Sequence, residues 1–194
     1  MTTTDRHTET TKAPVTSVTW WNQTKRSPDT LAHWLRSQLR GETTACARIK
    51  DLRDQYCAEG SRQYRLLTVI AEQEHLHATW MEQLLIARGI STDVGTTQER
   101  YWKQTLGKSK NLSLDLDFET GCAVGAHAEK MRLERIEAIA NDPEAPEDIR
   151  TVFAKILPQE RFHERAFREL TTPEALERTK DAHQLGRKAL GLVA

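Results

Sequence analysis

A repeat constrains this chain more than any other feature. The segment LLTVIAEQEHLHATWMEQL at 66–84 lies over VFAKILPQERFHERAFREL at 152–170 with a constant offset of 86 residues. In that register Leu67 matches Phe153, Ile70 matches Ile156, Gln73 and Glu74 match Gln159 and Glu160, His77 matches His163, and Met81 matches Phe167. Apolar residues recur every three or four positions in both copies, the period of a helix with one buried face. The first copy holds two overlapping Glu-x-x-His pairs, and the period chooses between them. Glu74 and His77 fall in line with Leu67, Ile70, Met81 and Leu84, whereas Glu72 and His75 fall in line with Arg65, Thr68, Thr79 and Gln83. Glu74 and His77 are therefore expected inside. In the second copy the inward stripe is Val152, Ile156, Glu160, His163, Phe167 and Leu170.

Two further helical stripes each carry one acid. One reads Leu31, Leu35, Gln38, Glu42, Ala45, Ile49, Leu52; the other reads Cys122, Ala126, Glu129, Leu133, Ile136, Ala140. Glu42 precedes Glu74 by 32 residues and Glu129 precedes Glu160 by 31, so each half of the chain is a Glu followed one hairpin later by Glu-x-x-His.

Local signals predict the element order. Ser27 and Pro28 start a helix that runs to Glu59–Gly60. A second helix follows at once and ends at Gly89. Residues 90 to about 114 carry turn residues and a weak helical patch, QERYWKQTL. A third helix spans about Asp117 to Ala140, and a fourth opens at Pro146 and continues to Leu170. Thr171 and Glu174 are spaced as a capping box for a shorter fifth helix, which reaches about Lys188. No segment alternates like a strand. A helix of twenty residues is about 30 Å long, which the connection after Gly89 can traverse. Two hairpins joined by one long crossover make an all-α, ferritin-like four-helix bundle. The expected organisation is a flexible N-terminal arm at 1–26, with Trp20 and Trp21 as anchor points, the bundle at 27–170, and a C-terminal helix at 171–194 packed on it.

Four carboxylates facing a core are unfavourable unless something offsets them. The inward stripes hold no Lys or Arg beside these acids. Two divalent metals would neutralise four carboxylates, each metal taking one imidazole while two carboxylates bridge. Glu42, Glu74, His77, Glu129, Glu160 and His163 are the candidate metal ligands and catalytic residues. Mixed carboxylate and imidazole ligation suits iron or manganese, so two Fe ions or a Mn/Fe pair are expected. The rival reading is a metal-free scaffold that uses the repeat for assembly alone.

Composition narrows the function classes. Lys plus Arg and Asp plus Glu number 28 each, so there is no basic excess and a nucleic-acid partner is not expected. The basic run KQTLGKSK is short and reads as a solvated loop. No apolar run is long enough for a membrane span or a signal peptide, so no membrane partner is expected. Cys46, Cys57 and Cys122 are odd in number, widely spaced and free of any C-x-x-C pair, which predicts a reducing, cytoplasmic location and no cysteine metal module.

With these residues in place, the chain resembles the ferritin-like, rubrerythrin-type di-iron carboxylate superfamily over about residues 28–170, most strongly in GAHAEKMRLERIEAIANDPEAPEDIRTVFAKILPQERFHERAF. The resemblance implies the six ligands named above, one His per iron. The superfamily includes peroxidases, ferroxidases, ribonucleotide reductase subunits and O₂-dependent hydroxylases, so fold and metal transfer between members while the reaction does not. ARGI and EKMRLERI are also similar to its tRNA-hydroxylating branch, which zero net charge does not support. Rubrerythrins carry an additional carboxylate near the ligand on the third bundle helix. Here the positions one turn from Glu129 are Gly125, Ala126, Arg132 and Leu133.

Small residues at Gly41, Ala45, Gly125 and Ala126 predict room for O₂ and a small organic substrate beside the metals. Pro158 predicts a bend that aims Glu160, and Gln73 and Gln159 are expected to hydrogen-bond beside the ligands. Cys46 and Cys122 are expected to be buried and inert. The expected function is activation of O₂ or peroxide to oxidise or oxygenate a small-molecule substrate, with electrons from an external donor. A rubrerythrin-like peroxidase or ferroxidase is the rival. Such bundles are commonly homodimers, although no surface stripe here demands one.

Overall fold

Each long helix starts where the sequence offers its first turn something to satisfy or favour its free amides. In the computed structural model, which describes residues 16–94 and 117–189, six helices are present and no strand occurs among the described residues. Helix α1 spans Ser17–Thr24, with Thr16 accepting from the Thr19 amide. Helix α2 spans Pro28–Tyr56 behind the Ser27 cap, and α3 spans Arg62–Ala87 behind Ser61, which accepts from the Tyr64 amide at 3.1 Å. Helix α4 spans Phe118–Ala140, capped by Asp117. Helix α5 spans Glu147–Leu170 with no side-chain cap; Glu147 and Asp148 in its first turn complement the helix dipole instead. Helix α6 spans Pro173–Ala189.

Three details differ from the sequence expectation. Helix α2 stops at Tyr56, and Gly60 takes its left-handed conformation (φ 76°) in the turn that follows rather than at the helix end. Gly89, at φ 65°, does sit just beyond the end of α3. The cap of α6 is Thr172, which accepts from the Ala175 amide, while the Thr171 hydroxyl donates to the Glu119 carbonyl at 2.7 Å. The third difference is the N-terminal arm, whose described part is not loose. Trp21 is fully buried, and its Nε1 donates to Asp142 at 2.7 Å. Lys25 binds the same carboxylate, and Trp20 meets Trp34 edge-on at 5.2 Å. Two adjacent tryptophans bring enough apolar surface to order a single short helix against α2 and α4. The remainder of the arm (1–15), the QERYWKQTL patch and the KQTLGKSK run lie outside the described residues.

The core consists of two clusters, which fix the helix directions. One holds Leu31, Trp34 and Leu35 of α2, Met81, Leu84 and Leu85 of α3, Ile136 and Ile139 of α4, and Ile149, Phe153 and Ile156 of α5. The other holds Ile49 of α2, Leu67 and Ile70 of α3, Cys122 and Ala126 of α4, and Ala166, Phe167 and Leu170 of α5. The C-terminal halves of α3 and α4 thus share one end of the bundle, so these helices run parallel. This is the expected ferritin-like topology. Helix α6 lies on α4. No helix among the described residues is long and apolar enough to cross a membrane.

Gly125 marks a close approach to an aromatic ring in the second cluster. A Cβ added there would lie 2.7 Å from Cδ1 of the buried Phe167 ring, whereas one at Gly121 would meet the end of the Leu52 side chain. Gly125→Ala should therefore cost about 1–3 kcal/mol in urea denaturation, as overpacking does, and Gly121→Ala clearly less because Leu52 can rotate away. Equal costs would show that Phe167 is free to move.

Candidate metal centre

The six candidate ligands come from four helices: Glu42 from α2, Glu74 and His77 from α3, Glu129 from α4, Glu160 and His163 from α5. All are at most 3% exposed. They lie between the two apolar clusters, because each stripe is apolar on both sides of its acid. Glu72 and His75, the competing pair, are exposed, as the period requires. The donor atoms form two overlapping groups. Glu42, Glu74, His77 and Glu160 make one; Glu74, Glu129, Glu160 and His163 make the other, with the donors in each within 4.8 Å of one another. Glu74 and Glu160 belong to both.

The imidazoles face the carboxylates through Nδ1. His77 Nδ1 lies 3.3 Å from Glu160 and 3.6 Å from Glu42; His163 Nδ1 lies 3.0 Å from Glu74 and 3.7 Å from Glu160. Their other nitrogens meet the two glutamines of the repeat, crosswise. His77 Nε2 is 2.9 Å from Gln159 Oε1, and His163 Nε2 is 2.8 Å from Gln73 Oε1. An amide oxygen only accepts, so each Nε2 carries the hydrogen, and in the neutral ring Nδ1 presents a lone pair to the carboxylates. The expectation for Gln73 and Gln159 is met. Buried atoms without a hydrogen-bond partner gather at the same place: both oxygens of Glu42 and of Glu160, one each of Glu74 and Glu129, and Nδ1 of both histidines. Buried polar atoms are normally satisfied, and these eight belong to groups that ligate metals; Arg132 Nη2 beside them, and Trp34 Nε1 and the Nε atoms of Arg36, Arg40 and Arg135, also lack a hydrogen-bond partner, while Glu42 is ion-paired with Arg132.

The electrostatics describe a site under strain without a cation pair. Burial, with the Glu160 charge adding to it, raises the Glu129 carboxyl well above the usual range. Burial also pushes Glu74 up to about 7. Burial acts the same way on Glu160 and Glu42, but Arg132 and the facing imidazoles outweigh it and hold both low. For His77 burial favours the neutral ring, yet the facing carboxylates of Glu160 and Glu42 win and raise it to about 10. His163 is raised in the same way by Glu160 and Glu74.

Arg132 corrects the sequence reading that no base stands beside the acids. Its guanidinium pairs with Glu42 and lies 3.4 Å from Glu74, 3.6 Å from Glu129 and 3.9 Å from Glu160. The signal was present: a residue three positions after Glu129 shares its face. A long side chain can also reach a centre from a position that is itself partly exposed.

The expected room beside the small residues is narrowed at one of them. Phe167 closes on Gly125, and the nearest atom to a Cβ at Gly41 would be Arg132 Nη2, at 4.0 Å. Gly125 is thus crowded from across the bundle, whereas Gly41 is exposed and has only that one atom near it. Cys46 and Cys122 are buried and free, and burial raises the Cys122 thiol. Pro158 lies within α5, two residues before Glu160.

A four-helix bundle with two interlocked Glu/His tetrads defines a protein of the di-metal carboxylate class. The family model described as Rubrerythrin matches residues 34–171, and the chain belongs to the rubrerythrin family. No curated protein and no solved structure matches it.

These directions predict a pH dependence for the metal-free protein. The folded His77 takes its proton more readily than the unfolded value of 6.5 allows, so its stabilisation is complete below that value and lost as pH rises through about 10. Glu74 acts in the same sense, its contribution being complete below 4.5 and lost as pH rises through about 7. Chelator-treated protein should therefore lose thermal stability from about pH 5 to about pH 10, and divalent metal should flatten that slope by taking the protons' place. Parallel pH profiles of Tm with and without metal would contradict this.

Proposed function

We propose that the chain is a non-haem di-metal oxidoreductase, holding two iron ions or a manganese–iron pair, that reduces peroxide in the manner of a peroxidase. The observation that carries the reading is the set of orphaned buried donor atoms shared between two tetrads. Glu74 and Glu160, common to both, would bridge; Glu42 with His77 and Glu129 with His163 would complete the two ends. Bound there, a pair of redox-active metals supplies the electrons and Lewis acidity that cleave an O–O bond. Gln159 and Gln73 keep the histidine lone pairs turned inward, and the apolar layers above and below, from Ile156 to Phe167, exclude bulk water.

Of the oxidative readings, reduction of a compact oxidant is favoured over oxygenation of an organic substrate. What supports this choice is that the Phe167 ring crowds Gly125 and the Arg132 guanidinium stands among the acids. Electrons would come from an external donor, since the three cysteines form no C-x-x-C module. Cys46, Cys57 and Cys122 are all free, which agrees with a reducing, cytoplasmic setting.

Rapid mixing of the diferrous protein with hydrogen peroxide or with O₂ tests the choice. Peroxide should oxidise the metals faster by at least about tenfold, equivalent to 1.4 kcal/mol of barrier. Faster oxidation by O₂, coupled to turnover of an added organic compound, would restore the oxygenase reading.

A further inference from the structure

Arg132 alters the charge that a metal pair would meet. Four carboxylates offset two divalent ions completely, so a guanidinium within 4 Å of all four leaves one positive charge over. An unmatched charge in a buried site is unfavourable, and a monoanion is the simplest match. Metals would also draw the carboxylate oxygens toward themselves. That frees guanidinium hydrogens which now face Glu42 and Glu74. The planar fork of an arginine is suited to holding an anion beside a metal.

Access comes from the same side. The Arg132 side chain keeps 16% of its surface exposed, whereas the side chains of the carboxylates it faces are at most 4% exposed. It therefore extends from the surface to the centre of the site. Gly41, an exposed residue of α2, stands next to it, and a side chain at that position would cover the guanidinium. Elsewhere around the ligands the Phe167 ring crowds Gly125.

We infer that Arg132 and the metal pair together form a binding site for a compact monoanion, of the class of hydroperoxide or azide. Arg132 thereby selects anionic over neutral ligands of similar size. The inference rests on the di-metal reading above.

Azide titration of the diferric protein, followed by its charge-transfer absorption, tests it against nitric oxide binding to the diferrous protein, with metal content measured in every sample. In Arg132→Gln, with two metals still bound per chain, the azide Kd should rise by at least about tenfold. Arg132→Lys should recover part of that loss, and nitric oxide affinity should be unchanged in both. An azide Kd within about twofold of the unsubstituted protein, or equal losses for azide and nitric oxide, would overturn the anion site and leave the metal reading standing. If Arg132→Gln does not hold two metals, Gly41→Leu decides, because it covers the guanidinium without removing its charge. Weakened azide binding there supports the site, and unchanged binding overturns it. Absence of bound metal in the unsubstituted protein would remove the di-metal reading, and the anion site with it.

Discussion

Four carboxylates and two imidazoles occupy the middle of a bundle where packing alone would place leucine and isoleucine. Leaving one such charge without a partner costs about 3–5 kcal/mol, so the site is the least stable part of the fold unless cations complete it. The rest of the structure is arranged to tolerate it. Apolar clusters close both ends, from Trp34 and Phe153 at one to Phe167 and Leu170 at the other. The glutamines of the repeat fix the imidazoles crosswise between α3 and α5. Arg132 supplies part of the missing positive charge in the protein's own covalent structure.

The site follows from the repeat because the bundle is two similar hairpins packed face to face. A Glu on α2 or α4 and a Glu-x-x-His on α3 or α5 each need only the right helical phase to reach the same layer. This is why the six residues were legible from period alone: a stripe such as Leu67, Ile70, Met81 and Leu84 leaves no other inward position for Glu74 and His77. The parallel run of α3 and α4 was legible too, from the length of sequence that separates them. What period does not encode is what reaches in from elsewhere. Arg132 lies beside the stripe and arrives by side-chain length. Phe167 fills the space at Gly125 from another helix, and no spacing within α4 announces it. The docking of α1 rests on Trp21 finding Asp142 across 121 residues, a contact that local sequence cannot show.

Family membership defines the metal class and leaves the reaction to local chemistry. Rubrerythrins resemble this bundle but carry an additional carboxylate near the ligand on the helix corresponding to α4. In this chain the residue one turn beyond Glu129 is an arginine that contacts the centre instead. An acid there adds a ligand and a negative charge, whereas a base adds neither. The Arg132 guanidinium makes the centre of this chain more positive than an acid at that position would.

The most direct measurement is anomalous X-ray diffraction from crystals of the iron- or manganese-loaded protein. Two peaks should lie between α2, α3, α4 and α5, one beside His77 Nδ1 and one beside His163 Nδ1, with Glu74 and Glu160 reaching both. A single peak, peaks elsewhere on the chain, or none at full metal supply would contradict the account.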